Sequence, residues 1–188
     1  MTDLEFLKRL CEGYVRCYRT LNLRTDAKWE DLTGRELDFF ARLGESLGFA
    51  ARYEVERKDL TWHDVDSGAV VLYMERESNA GKALRETLPR LCRPNPGAPG
   101  CYLVAVLGWV RPADLASIRQ VLVAQRAGRA LALLAWVGPN ADAARQIEAW
   151  VFSGAGHARR EAVGVIDADR YWFAHFVGPW ETSQNGNE

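Results

Sequence analysis

Acidic side chains come together in the sequence where an apolar run ends. Glu75 and Glu77 follow the run AVVLYM, and because side chains alternate across a strand, both carboxylates are expected on one face of it. A hairpin whose loop spans 64–68 would pair Asp59 of the preceding run with Tyr73, diagonally beside Glu75. A loop shorter by one residue would move Asp59 to the other face. The spacing predicts three neighbouring carboxylates, which repel one another unless something offsets their charge.

A fourth acid, Glu36, is placed by helical geometry. It shares a stripe with Phe40 and Leu47, so it is expected to face the core side of its helix. Three or four carboxylates at one end of a sheet are the ligand set of a hard divalent cation, Mg²⁺ or Mn²⁺, which takes oxygen ligands and leaves water positions for a phosphate substrate. The predicted metal ligands are Asp59, Glu75 and Glu77, with Glu36 as a further catalytic acid.

Each of these acids also has a structural interpretation. Glu36 is the third helical residue of a capping box if its helix opens at Thr33. Asp59 is a residue type favoured where a strand meets a turn. The two glutamates of the strand end are alternatively solvent-exposed and paired with Arg57 or Arg76.

The elements that must position these acids form a mixed α/β pattern. The hydrophobic spacing predicts antiparallel hairpins first and parallel strands with crossover helices later, hence a mixed sheet flanked by helices. The predicted helices are 4–22, 33–48, 80–92, 114–127 and one that is capped by Asn140 and reaches about residue 152. The predicted strands are 51–56, 59–63, 69–78, 101–110, 130–138 and a terminal hairpin of 162–166 with 171–177. Residues 181–188 are expected to fray.

Composition places the chain among ordinary globular proteins. Its 188 residues are 48% hydrophobic and 26% charged, and they carry a formal net charge of −1, so we expect one domain over 1–188 and no global attraction to nucleic acid or membrane. The four cysteines form no Cys-x-x-Cys pair, and no apolar run is long enough to act as a signal peptide or to cross a bilayer. These features favour a cytoplasmic location.

The acidic residues and the order of elements resemble the core of the PD-(D/E)xK nuclease superfamily. Asp59 is followed by fifteen residues and then Glu75-Arg76-Glu77, with the Glu36 helix before and a helix from Ala80 after, so the resemblance covers about residues 33–138. It implies a restriction-endonuclease-like core of helix, three antiparallel strands, helix and a further strand. The N-terminal helix and the segment 139–180 would be additions to that core.

The resemblance also implies roles. Asp59 and Glu75 match the metal-binding acids of the superfamily, and Glu36 matches the acid often present on its first helix. Glu77 departs from the pattern because it stands where the superfamily has a lysine, although some restriction enzymes of the superfamily carry Glu-x-Glu. A glutamate there can act as general base or as a ligand, and Lys82 is a candidate to return an ammonium. Lys58 is expected to point away from Asp59 by alternation.

The implied function is divalent-metal-dependent hydrolysis of phosphodiester bonds in nucleic acid, DNA rather than RNA. The absent lysine and the neutral charge favour an alternative, a nuclease-like fold without catalysis that binds nucleic acid or a protein. A third possibility is a structural protein with solvated acids. A homodimer or a partner protein is compatible with each of these.

Basic residues in the second half of the chain are candidates for phosphate contacts. Their alternative interpretation is an ordinary solvated helix face within an arginine-rich composition. Trp150 lies in an apolar run and is interpreted as a core anchor. The predicted nucleic-acid-binding residues are Arg119, Arg126 and Arg129 at near-helical spacing, with Arg159 and Arg160 after a glycine-rich turn.

Overall fold

The computed structural model describes residues 1–26, 28–140 and 145–184. The α-helices are α1 (Asp3–Arg16), α2 (Trp29–Ser46), α3 (Ala80–Lys82), α4 (Leu88–Leu91) and α5 (Pro112–Gln125). Shorter helical turns are 3₁₀ at Tyr18–Leu21 and Val55–Arg57, and π at Ala83–Thr87. The strands are β1 (Phe49–Tyr53), β2 (Leu60–Asp64), β3 (Val70–Glu77), β4 (Tyr102–Val110), β5 (Leu131–Val137), β6 (Gln146–Ser153), β7 (Gly156–Ile166), β8 (Trp172–Phe176) and β9 (Glu181–Gln184).

The strands form one mixed sheet, as the sequence predicts. Its order follows the chain from β1 to β8, and β9 pairs with β7. Strands β1 to β3 are antiparallel, β3 to β5 are parallel, and β5 to β8 are antiparallel again. The two parallel connections carry helices, the segment 80–91 and α5, because parallel neighbours need a crossover. The fold class is therefore α/β, a mixed sheet flanked by helices.

The central strands are buried on both faces, which explains their unbroken apolar runs. One hydrophobic cluster lies on the face covered by α1 and α2 and includes Tyr14, Phe40 and Trp62. The other cluster lies on the face of the segment 80–91 and α5 and includes Tyr73 and Ile118. Because side chains alternate along β3, its neighbouring residues contribute to different clusters.

Three local predictions are wrong. The helix expected between Asn140 and residue 152 is replaced, over 146–153, by strand β6, because that stretch pairs with both β5 and β7. The tail expected to fray forms β9 over Glu181–Gln184, while 185–188 lie outside the described residues. Helix α2 begins at Trp29, so Thr33 lies inside it and does not cap it.

Most other elements follow the prediction within a few residues, but β7 begins at Gly156 and not at 162, and the helix predicted over 4–22 ends as α1 at Arg16 with a separate 3₁₀ turn after it. The turn at 64–68 is present, with the Gly68 N–H donating to the Asp64 carbonyl at 2.9 Å. The terminal hairpin of β7 and β8 is also present. No helix in the described ranges is long and apolar enough to cross a membrane.

Candidate functional site

Asp59 and Glu75 are brought together where β2 and β3 pair. Thr61 lies opposite Tyr73 and Leu60 opposite Met74, so the next position of this register sets Asp59 opposite Glu75. The predicted register, with Asp59 opposite Tyr73, is wrong by two residues because the pairing is offset and a bulge falls between Trp62 and His63. A shift of two preserves the face of a side chain. The two carboxylates are therefore neighbours on one face, as predicted, although the predicted register is wrong.

The two carboxylates have different surroundings. Asp59 Oδ2 accepts a hydrogen bond from the backbone N–H of Arg76 at 2.7 Å, which holds it at the strand end. Glu75 is 1% exposed and is bound by the guanidinium of Arg90, with Nε donating to Oε1 at 2.7 Å and Nη2 donating to Oε2. Burial, with a smaller contribution from the charge of Asp59, raises the pKa of Glu75 to about 7 although Arg90 opposes the rise.

Lys58 lies on the same side of the sheet as Glu75, which alternation had excluded. Its Nζ donates to the Arg90 carbonyl and lies 5.4 Å from the ring centroid of Tyr73, a neighbour of Glu75 on that face. Lys58 stands outside β2, between the 3₁₀ turn Val55–Arg57 and the strand, so strand alternation does not govern it. Its side chain is buried, and burial lowers its pKa, although the charge of Glu75 opposes this.

The prediction that Lys58 points away from Asp59 and Glu75 is therefore wrong. One feature of the sequence indicates its true position. Lys58 directly follows the stretch 54–57, which is too charged to belong to a strand, so the alternation of a strand does not apply to Lys58.

Glu77 does not join the pair of carboxylates. Its oxygens accept from the backbone N–H groups of Ser78 and Asn79 at 2.8 and 3.0 Å, and Lys82 Nζ lies 3.0 Å from Oε2. Burial alone would raise the pKa of Glu77, but the hydrogen bonds and charge of Lys82, with the backbone donors, hold it below its ordinary value. The ammonium of Lys82 is thus used to neutralise Glu77.

Glu36 lies on the opposite face of the sheet. Its Oε2 accepts from Arg76 Nε at 2.8 Å, and its Oε1 accepts from the Tyr14 hydroxyl at 2.5 Å. Arg76 alternates with Glu75 and Glu77 along β3, so its partner Glu36 is separated from those two acids by the sheet itself. The structure makes Glu36 part of a buried ion pair, neither a capping residue nor a neighbour of Asp59.

The predicted set of three or four converging carboxylates is therefore not assembled. Within residues 1–26, 28–140 and 145–184, no group of three or more His, Cys, Asp and Glu side chains is arranged to hold a metal ion. Asp59 and Glu75 remain as a pair of neighbouring carboxylates. Both are oxygen donors of the kind that a divalent cation takes, but the guanidinium of Arg90 occupies both oxygens of Glu75, so a cation would fit here only in exchange for it. Glu36 and Glu77 do not fit.

The predicted basic residues do not form one surface. Helix α5 ends at Gln125, so Arg126 and Arg129 lie beyond it and not at helical spacing. Arg126 donates to the carbonyls of Arg129 and Ser153, at 2.6 and 3.2 Å. Arg129 is buried and donates to the Cys92 carbonyl at 2.6 Å. Both residues hold the loop before β5 in place.

Arg159 and Arg160 point to opposite faces of β7, as neighbours in a strand must. Arg160 pairs with Glu12 of α1 at 2.9 Å. Arg159 contacts Glu148 at 3.2 Å and also pairs with Glu161. Two of the five predicted residues, Arg119 and Arg126, line an open groove, and neither has a carboxylate partner among the described residues. Arg126 is bound to backbone carbonyls, whereas the guanidinium of Arg119 lies 4.0 Å from the ring centroid of Trp150.

Comparison with known proteins assigns no family to the chain. No protein-family model matches it, and no curated protein is significantly similar to it. It is similar to the central domain of yeast acetyl-CoA carboxylase in a solved structure, with a TM-score of 0.39 and 12% identity. The match covers 74% of this chain and 26% of that chain. A likeness this low bears on no activity, so any function has to follow from the residues of the site.

Proposed function

We propose that the protein is a divalent-metal-dependent phosphodiesterase that acts on nucleic acid, with Asp59 and Glu75 as its metal ligands. The observation that carries the proposal is the buried Glu75 carboxylate beside Asp59, with Lys58 on the same side of the sheet. Two acids and an amine in one partly enclosed place are costly for folding alone, because each must be desolvated. Such an arrangement is typical of a site that does chemistry.

The order of elements supports the same proposal. Helix α2, the antiparallel strands β1 to β3, the helical segment 80–91 and the parallel strand β4 follow one another as in the core that the PD-(D/E)xK resemblance implies. Asp59 directly precedes β2, and Glu75 lies in β3, the positions where that resemblance sets its acids. The superfamily has a lysine where this chain has Glu77. We assign the role of that lysine to Lys58, the residue directly before Asp59.

A bound Mg²⁺ or Mn²⁺ would supply Lewis-acid polarisation of a phosphoryl oxygen and a more acidic water. Asp59 is oriented for this by the Arg76 N–H, and Glu75 becomes available when Arg90 releases it. In the hydrolysis itself, a water oxygen bonds to phosphorus and loses a proton, the ester P–O bond breaks, and the leaving alkoxide oxygen takes up a proton to become the alcohol.

The chain's own cations have separate tasks in that reaction. Burial lowers the pKa of Lys58, so its amine exchanges a proton more readily than an ordinary lysine and is the proposed donor or acceptor next to the water. The side chain of Arg90 is 34% exposed, so its guanidinium can turn from Glu75 to a phosphate, which it binds in the same bidentate manner.

The test is cleavage of supercoiled plasmid, single-stranded DNA and RNA by the full chain with Mg²⁺ or Mn²⁺. We expect cutting by the wild type and none by Asp59→Asn or Glu75→Gln, whose amides keep the shape of the side chains and remove the charge. Glu86→Gln is the matched control, because it removes an exposed carboxylate from the neighbouring helical segment. Cutting that persists in both site variants refutes the assignment.

We propose DNA as the first substrate to test, and a cytoplasmic location, which four free cysteines support. A homodimer or a complex with another protein is compatible with this site, and sedimentation of the purified chain tests it.

A second candidate function is a nuclease-like fold that binds nucleic acid or a protein without hydrolysis. It is favoured by the ion pairs of Glu75 with Arg90 and of Glu77 with Lys82, which already neutralise both glutamates. A folded wild type that cuts none of the three substrates supports this candidate.

A further inference from the structure

A groove of about 520 Å³ lies between α5 and the hairpin of β6 and β7, apart from the acidic site. Val123 and Arg119 line its helical side, and Trp150, Phe152 and His157 line its strand side. None of its ten lining residues is acidic, and two are arginines. The volume falls within the range of small-ligand sites, and the open side of the groove leaves room for a chain to pass.

The strand side of the groove is a platform of aromatic rings. Trp150 and Phe152 stack with their centroids 6.1 Å apart and their planes 6° apart. The His157 ring lies 6.2 Å from Trp150 and 6.1 Å from Phe152. The interpretation of Trp150 as a core anchor is therefore incomplete, because its half-buried ring also faces the groove. Flat rings of this kind stack with unpaired bases.

Arg119 supplies the charge that faces the rings, whereas Arg126, the other arginine of the groove, donates to the carbonyls of Arg129 and Ser153. The guanidinium of Arg119 rests 4.0 Å above Trp150, and its buried Nε has no hydrogen-bond partner in the part of the chain that the structure describes. On the same platform, Arg159 lies 5.4 Å from the Trp150 ring, but it is committed to Glu148, Glu161 and Glu181. A guanidinium held in place without a carboxylate is suited to an anion that arrives from outside, a phosphate in particular.

We propose that this groove binds single-stranded nucleic acid, with one base against the half-buried ring of His157, which the buried Phe152 supports, and a neighbouring phosphate on Arg119. An aromatic platform beside an unpaired cation matches a ligand that carries a planar ring and a negative charge. A single strand fits because its bases are free to stack, whereas those of a duplex are stacked on each other. The choice of nucleic acid rests on the proposed function, and the groove adds to it a subsite that holds the strand away from the acidic residues.

The test measures binding without hydrolysis. The fluorescence anisotropy of a labelled DNA ten-mer is titrated with the full chain in EDTA, so that no divalent cation is present. We expect Arg119→Gln to weaken binding about tenfold, the scale of losing one charge-assisted contact with a phosphate. Arg52→Gln is the charge-matched control on the exposed edge strand β1, and it should change the affinity less than about twofold.

A second pair of variants tests the platform. His157→Ala removes a ring and should weaken binding, while His157→Phe keeps a ring and should retain it. Equal affinity of the wild type and Arg119→Gln overturns the inference, as does equal affinity for a duplex of the same length. Displacement of the ten-mer by an equal concentration of a mononucleotide overturns the choice of a strand.

Failure of the groove and failure of the acidic site are distinguishable. Metal-dependent cleavage that is abolished by Asp59→Asn but unaffected by Arg119→Gln leaves the hydrolytic function standing and removes this inference. Binding that depends on Arg119 in a protein that cuts no substrate leaves the groove standing and removes hydrolysis.

Discussion

Two ion pairs start from adjacent residues of β3 and lie on opposite faces of the sheet. Arg76 pairs with Glu36 under α1 and α2, with side chains that are 2% and 0% exposed. Glu75 pairs with Arg90 of α4, and there the carboxylate is 0% exposed but the guanidinium is 34% exposed. The chemistry of the two pairs is the same, and only their access to solvent differs.

Access decides what each pair can do. The sealed pair has a fixed set of partners, because the Tyr14 hydroxyl donates to Glu36 and accepts from Trp136 Nε1 at 3.2 Å. Nothing from solvent can replace these partners, so the pair acts on stability. In the open pair, the guanidinium of Arg90 is in contact with solvent, and the function proposed above requires it to release Glu75. The sealed pair therefore bears on stability, and the open pair is the one on which the proposed function depends.

The largest effect is expected from breaking the sealed pair. Arg76→Met leaves the Glu36 carboxylate buried without its cation, which should lower the free energy of unfolding by about 3–5 kcal/mol. Urea denaturation followed by circular dichroism measures this loss. The double variant Arg76→Met, Glu36→Gln should recover part of it, because it removes the buried charge as well. A loss below about 1 kcal/mol in the single variant would show that Glu36 is not sealed.

The next effect is a pH dependence from Glu75. Its pKa is about 7 in the folded protein against an ordinary 4.5, so between these values the folded state binds more protons than the unfolded chain. The free energy of unfolding therefore falls as pH rises through that interval, by about 3 kcal/mol at most for this group. Glu75→Gln should remove this decrease and be more stable than the wild type at pH 8.

Urea denaturation at pH 5 and pH 8 measures both proteins. The control is Glu86→Gln, which should keep the pH dependence of the wild type. A wild-type protein whose Glu75 contribution grows with pH would contradict the raised pKa.

A smaller effect is expected from breaking the open pair. Arg90→Ala removes the group that lowers the pKa of Glu75, so the carboxyl is protonated near neutral pH and its burial is less costly. We expect a loss of about 1–2 kcal/mol at pH 8, where Glu75 is mostly ionised, and little loss at pH 5, where it is protonated. A loss as large as that of Arg76→Met at both pH values would remove the distinction between the two pairs.

The smallest effect is expected at Glu77. Lys82 is 53% exposed on its side chain, and exposed ion pairs contribute about 0–1 kcal/mol. Lys82→Ala should therefore change the free energy of unfolding by less than about 1 kcal/mol. Whatever it contributes is present above the ordinary pKa of Glu77 and is lost as pH falls through the lowered value. Denaturation in 0.5 M NaCl should reduce the difference between the two proteins, because salt screens exposed charges.

The predictability of the site differs from residue to residue. Asp59 and Glu75 were placed together by alternation, which tolerates a register error of two residues and therefore survived the bulge at Trp62 and His63. Lys58 was misplaced because alternation was applied to a residue outside a strand. Glu36 was placed on the core side correctly, but a helical stripe does not say on which face of the sheet its helix packs.

The strands also differ in how well the sequence predicts them. The runs that became β4 and β5 carry no charged residue, and the run that became β3 is apolar until Glu75, a signal of strands buried on both faces. The run that became β6 satisfies helical and strand spacing alike, and pairing with β5 and β7 selected the strand. Strand β9 is short and polar, so its sequence does not predict a strand. It pairs with residues 156–159 of β7, an edge that β8 leaves free because β8 pairs with residues 162–166.

The sequence by itself determined the mixed α/β class, the central buried strands and the meeting of Asp59 with Glu75. These depend on local periodicity, because a repeat of two or of 3.6 residues assigns each side chain a face before any packing occurs. Only the tertiary structure decided that Glu36 and Arg76 are sealed on one face, that Arg90 and Lys58 meet Glu75 on the other, and that Arg119 lies open on Trp150. Those contacts join residues far apart in the chain, and their energies depend on solvent access, which no local pattern specifies.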